Sequence, residues 1–220
     1  PSGSDSTHAL TITIDDTQNN VNSQNVTDLN TILAATTGTV TASIDGNADK
    51  LASITSNANS AATHTLTIVV DDAATAAQGA AIADATSIAT VNFSQGVSDT
   101  FANLVTTGTG AVTANMGKID AKDANVNVSV SDTIADMTTA NVTDLNALLA
   151  ATTGTVTATI DGNVAQLKTI TASGSHSTHA LTITVDDGAN VADGAFIADA
   201  TNATVNFSQG VSDTFANLVT

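Results

Sequence analysis

The sequence predicts a repeat solenoid: a right-handed parallel β-solenoid with short helices between its strands, an α/β solenoid of about nine rungs. Three observations predict it. Residues 90–106, TVNFSQGVSDTFANLVT, return without a change at 204–220, and NVTDLNTILAATTGTVTASIDGN (25–47) returns almost intact at 141–163. Short runs of alternating apolar and polar residues recur at intervals of roughly 15 to 30 residues. Helical patterns separate them, and a strand, helix, strand order favours parallel neighbours. The chain is therefore read as one continuous solenoid: 1–24 the end of a preceding unit, 25–140 a full repeat, and 141–220 a second, truncated repeat.

The strands are read in order as LTITI (10–14), VTASI (40–44), LTIVV (66–70), TVNF (90–93), VTANM (112–116) and VNVSV (126–130), then VTATI (156–160), LTITV (181–185) and TVNF (204–207). Alternation assigns their faces. Leu10, Ile12, Ile14, Val40, Ala42, Ile44, Leu66, Ile68 and Val70 point inward. Thr, Ser and Asn, among them Thr11, Thr41, Thr67, Asn127, Thr157 and Thr182, form the outer face.

The helices follow from spacing. Val26, Leu29 and Leu33 fall at i, i+3, i+7, with Thr27 or Asn25 to cap the start and Gly38 to close the end, giving a three-turn helix. Val97, Phe101, Leu104 and Val105 fall at i, i+4, i+7, i+8, with Ser98 or Asp99 as cap, and Val211, Phe215, Leu218 and Val219 repeat them. Ala48, Leu51 and Ile54, echoed by Val164, Leu167 and Ile170, suggest a shorter helix.

Composition excludes whole classes of function. The 220 residues contain no Cys, Trp, Tyr, Arg or Glu; the 21 acids are all Asp, the only bases besides His are Lys50, Lys118, Lys122 and Lys168, and the net charge is -17. Disulfides, thiolate chemistry and cysteine zinc sites are impossible. A surface this acidic repels phosphates and has no Trp or Tyr on which bases stack, so no nucleic-acid partner is expected. No apolar stretch is long enough for a membrane span, and PSGSDST at the start has neither a basic region nor an apolar run, so any secretion signal is expected to have been removed or to lie upstream. Every prominent motif is duplicated, so no enzyme is expected and no catalytic residue is assigned.

The acids follow the strands: Asp15 and Asp16, Asp45, Asp71 and Asp72, Asp132, Asp161, and Asp186 and Asp187. Stacking would gather them at one corner. Two readings stand there. Calcium takes six to eight oxygens, commonly from Asp and turn carbonyls, which makes these nine residues candidate calcium ligands and calcium the only candidate cofactor. The same residues also suit helix N-caps, and Asp-Gly suits a tight turn. His8, His64 and His179 precede homologous LTI strands, with His176 nearby; repetition accounts for them better than metal binding.

Residues 97–116, VSDTFANLVTTGTGAVTANM, and 128–162, VSVSDTIADMTTANVTDLNALLAATTGTVTATIDG, resemble tandem repeats in very long secreted and surface proteins of bacteria, including cyanobacteria. The likeness rests on the SDT-(F/I)-A-(N/D)-(L/M) and TTGTVTA patterns and covers nearly the whole chain. It implies an extracellular or cell-surface location and a structural role in a fibre, surface layer or adhesin stalk, often with calcium. The expected partner is the chain itself, as a homopolymer or as neighbouring repeats, because the period is cut open at FANLVT and neither end looks capped. Alternative readings are an ice- or surface-binding module presenting its Thr rows, or a segment of a viral tail fibre.

Overall fold

The computed structural model describes residues 9–15, 17–55, 64–87, 90–171 and 178–219. They fall into two compact units. Unit 1 comprises Pro1–Val97 with Lys118–Asp123; unit 2 comprises Ser98–Gly117 with Ala124–Thr220.

Unit 1 is built on a parallel sheet of β1 (Ile12–Thr13), β2 (Val40–Gly46), β3 (Thr65–Val70) and β4 (Val91–Phe93), paired in chain order. Helices α1 (Ser23–Ala35), α2 (Ala48–Leu51) and α3 (Ala76–Asp84) connect successive strands. Alternation sets the faces as the sequence indicates, with Val40, Ala42, Ile44, Leu66, Ile68 and Val70 buried and Ser43 and Thr67 exposed. Each fully buried Leu or Ile contributes about 1.5–3 kcal/mol. Leu10 is the exception, lying exposed before a strand only two residues long.

Local chemistry fixes the helix ends. The cap of α1 is Asn22, rather than Asn25 or Thr27: its side chain accepts from the N–H groups of Gln24 (2.8 Å) and Asn25 (3.0 Å), while the Asn25 side chain accepts from Asn22 N–H. The far end is closed by Thr36, whose hydroxyl donates to Leu10 O at 2.6 Å and accepts from Gly38 N–H. Gly38 is needed for space, since a Cβ there would strike the Leu10 carbonyl. Helix α3 has no counterpart among the helices read from spacing; Thr75 and Gln78 form its capping box, and Gly79 lets Ile119 pack against it.

Unit 2 carries the second parallel sheet, in the order β11-β10-β9-β8-β5. From Val97 onward the elements are β5 (Val97–Asp99), α4 (Phe101–Leu104), β6 (Val105–Thr106), β7 (Ala111–Val112), α5 (Ala114–Asp120), β8 (Val128–Ile134), α6 (Thr139–Ala151), β9 (Val156–Gly162), α7 (Val164–Leu167), β10 (Ala180–Val185), α8 (Val191–Asp199), β11 (Val205–Phe207) and α9 (Phe215–Leu218), with Val97 and the end of α5 from Lys118 belonging to unit 1. Ile160 pairs with Ile183 in β9–β10 as Ile44 pairs with Ile68 in β2–β3.

The expectation of one continuous nine-rung β-solenoid is therefore corrected: the strands form two separate parallel sheets, of four and five strands, with helices between strands, an α/β fold. The chain changes sheets between β4 and β5, and the segment between β5 and β8 adds no strand to either parallel sheet. VTANM, read as a strand, divides there: Ala111–Val112 closes an antiparallel hairpin with Val105–Thr106, and Ala114 begins α5. Gly108 and Gly110 turn the hairpin with positive φ, which glycine adopts without a Cβ clash. Thr113 Oγ1 accepts from Met116 N–H, and Met116 and Ile119, three apart, are buried. Helical spacing wins over the five-residue alternation.

The FANL segment is also shorter than expected. Val97 and Val105 lie in strands, and only Phe101–Leu104 makes a helical turn, after Thr100 rather than Ser98 or Asp99. Among the described residues, no helix is long and apolar enough to cross a membrane.

Candidate functional site

The acidic residues after the strands do two kinds of work. Several of them cap helices across the fold. Asp72 Oδ1 accepts Ala48 N–H at 2.7 Å, Asp187 Oδ1 accepts Val164 N–H at 2.7 Å, and Asp132 Oδ1 accepts Phe101 N–H at 2.7 Å. Asp213 repeats the arrangement on Val191. Its carboxyl is held below the usual carboxylate range by the Asn217 amide and by the N–H groups of Thr214 and Val191. The capped helix is one that precedes the Asp in the chain, not the helix that follows it. Each of these helices thereby receives an anion at its first exposed N–H, where the helix dipole favours negative charge.

Asp45 and Asp161 serve a turn. Asn20 and Asp136 both have positive φ and occupy the left-handed region, which Asn and Asp tolerate better than most residues. Each donates its N–H to the Oδ1 of the Asp near the end of the following strand, Asp45 or Asp161. Asp-Gly is not a tight turn here, because Asp45-Gly46 and Asp161-Gly162 are the last residues of β2 and β9. The glycines instead admit Val21 and Met137, which a Cβ would meet at 2.7 and 2.8 Å.

The second turn makes the candidate cation centre. Carboxylate oxygens of Asp136, Asp161 and Asp186 all lie within 4.8 Å of one another. Asp161 is half-buried, the other two exposed. A polar cleft of about 310 Å³ adjoins them, lined by Asp136, Thr138, Gln166 and Asp186 among others. Gln166 Oε1 is buried without a hydrogen-bond partner. Three carboxylates supply three of the six to eight oxygens calcium takes, water and carbonyls being the usual remainder.

Of the nine sequence-predicted ligands, Asp161 and Asp186 thus converge, joined by Asp136, which sequence reasoning passed over. Its signal was its alignment with Asn20 at an offset of 116 residues. Asp45 and Asp71 hold the positions in unit 1 that Asp161 and Asp186 hold in unit 2, with Asn20 as the third residue. Asp15, Asp72, Asp132 and Asp187 are exposed residues outside the cluster, and Asp16 lies outside the described residues.

The histidines are structural. Nδ1 of buried His64 accepts Val40 N–H at 3.2 Å, and Nδ1 of buried His179 accepts Val156 N–H at 3.1 Å. An accepting Nδ1 requires the neutral ring protonated on Nε2. Burial lowers the pKa of both. His8 and His176 lie outside the described residues.

All four lysines are engaged. Lys118 pairs with Asp84 (2.6 Å), Lys168 with Asp193 (3.3 Å) and Lys50 with Asp49, while Lys122 donates to Thr86 O and Ser87 O. No family model, curated protein or solved structure matches the chain.

Proposed function

We propose that the chain is a structural repeat segment of an extracellular fibre, surface layer or adhesin stalk, acting through self-association rather than catalysis. The observation that carries this reading is duplication. Two near-identical stretches build two sheets with the same strand register, the same neutral histidine on the strand edge and the same inter-element Asp caps. A repeated framework of this kind suits a load-bearing or spacing role. The acidic surface keeps such a segment soluble.

In this reading calcium is the cation at Asp136, Asp161 and Asp186. Bare carboxylates whose oxygens lie within 4.8 Å of one another repel by about 1 kcal/mol per pair even in water. A divalent ion reverses that sign. The resemblance to bacterial surface repeats points the same way.

The test is immunogold electron microscopy of cells that produce the protein. Label along fibres or a layer outside the cell is the expected result. Label confined to the cell interior overturns the reading.

A further inference from the structure

Among aspartyl peptide bonds, the bond to glycine closes most readily into a cyclic imide, because glycine has no side chain to keep its nitrogen from the neighbouring carboxyl. Four such steps occur in this chain: Asp45-Gly46, Asp161-Gly162, Asp187-Gly188 and Asp193-Gly194. Three of them are tied down. Asp45-Gly46 and Asp161-Gly162 end β2 and β9, where Gly46 pairs with Val70 and Gly162 with Val185. The carbonyl oxygens of Asp45 and Asp161 accept the N–H groups of Val21 (3.0 Å) and Met137 (2.9 Å), and their carboxylates accept those of Asn20 and Asp136. At Asp193-Gly194, inside α8, the glycine nitrogen donates to Asn190 O at 2.9 Å. Ring closure needs rotation of the aspartyl peptide unit, which ladder and helix both oppose.

Asp187-Gly188 differs in each respect. It lies in the turn between β10 and α8, both residues are exposed, and among the described residues nothing accepts the Gly188 N–H. Nor does the fold require a glycine there. Its φ lies outside the left-handed region, and a Cβ would meet no atom within 4 Å. The matching residue of unit 1, following Asp71 and Asp72, is Ala73. Asp72 and Ala73 are exposed as well, so the openness of this turn belongs to both units.

We propose that Asp187-Gly188 is a site of spontaneous isomerisation to isoaspartate, and that the reaction uncaps α7. The Gly188 nitrogen adds to Cγ of the protonated Asp187 carboxyl, and one carboxyl oxygen leaves as water, taking the amide proton and the carboxyl proton. The imide then takes up one water. Addition at Cγ restores aspartate. Addition at the former main-chain carbonyl breaks its bond to the Gly188 nitrogen, leaving the chain routed through Cγ with a free carboxylate on Cα. Nothing is oxidised or reduced, and one oxygen now comes from solvent. The main chain has gained a methylene and the side chain has lost one, so the carboxylate no longer reaches the Val164 N–H that Oδ1 holds at 2.7 Å. This chemistry is independent of the self-associating role.

The test is incubation of the full chain for weeks near neutral pH in heavy-oxygen water, followed by peptide mapping and labelling with an isoaspartate-specific carboxyl methyltransferase. Isoaspartate carrying the heavy oxygen is expected at residue 187 at a level on the order of tenfold or more above the other three steps, which react only through local opening. Gly188→Ala has open space for its Cβ, so it is expected to fold normally and to bring residue 187 down to that background. The isomerised fraction, separated by ion exchange, is expected to unfold at a lower urea concentration, shifted as far as Asp187→Ala. Equal levels at all four steps, or accumulation unchanged by Gly188→Ala, overturns the site. An isomerised fraction as stable as the fresh chain overturns the uncapping.

Discussion

Asp187 caps a helix that the chain has already left behind: its Oδ1 accepts the N–H of Val164, the first residue of α7, at 2.7 Å across 23 residues of sequence. Asn163, the residue at the N-cap position itself, makes no side-chain cap. Asp72 and Ala48 stand in the same relation in unit 1, again with a silent Asn47 at the cap. The turns are thus tied to the helices before them, and a one-turn helix too short to persist alone is held by a neighbouring strand end.

Removing such a cap has a definite cost. Asp187→Ala is expected to destabilise unit 2 by about 1 kcal/mol, within the ~0.5–2 kcal/mol range of N-cap losses. Asp72→Ala is expected to do the same in unit 1. Urea titration followed by circular dichroism measures both. Asn163→Ala, which removes no cap bond, serves as the control and is expected to change stability by less than about 0.5 kcal/mol.

The histidines make stability depend on pH. Burial lowers the folded-state pKa of His64 and His179, so below the unfolded value of about 6.5 the unfolded chain binds more protons than the folded one. Their contribution is complete above that pH and declines as pH falls toward the folded value. Protonation also removes the acceptor for Val40 and Val156. Thermal melts from pH 7.5 to 5.5 are expected to fall for the wild type more than for a His64→Gln, His179→Gln variant; parallel curves would show that the rings do not titrate in this window.

Asp144 and Asp28 occupy equivalent positions on α6 and α1 with unequal burdens. Asp144→Ala leaves the N–H groups of Gly108 and Gly110 without their acceptor, an expected loss of at least about 1–3 kcal/mol. Asp28→Ala is expected to change the stability of the single chain by no more than about 0.5 kcal/mol. Equal losses in chemical denaturation would contradict the difference in burial.

Calcium is expected to raise the melting temperature of the wild type and to leave that of Asp186→Asn nearly unchanged. Magnesium, which demands tighter octahedral geometry, is expected to do less. Isothermal titration with calcium chloride, giving no heat for the wild type at millimolar concentration, would remove calcium from the Asp136, Asp161 and Asp186 cluster.

Strand positions were legible because Val40, Ala42 and Ile44, or Leu66, Ile68 and Val70, alternate strictly, and a half-buried strand demands that period. Helices α3 and α8 were not, because Ala and Gly supply much of their buried faces, as at Ala76, Gly79 and Ala80, and weaken the contrast that reveals a helix. VTANM misled because five alternating residues also fit the first turn of α5; Ile119, three residues beyond Met116, was the deciding signal. The chain changes sheets between β4 and β5, and the glycine hairpin at 108–110 that follows docks on Asp144, joining positions far apart in the chain with no local signature. The acidic corner was half legible: Asp161 and Asp186 converge, whereas Asp72, Asp132 and Asp187 turn to helix ends that only the fold brings near.

The most direct test of the structural, self-associating role is electron microscopy of the purified chain over a rising concentration series. Linear assemblies that lengthen with concentration are the expected result. Isolated particles of one size at every concentration would contradict that role.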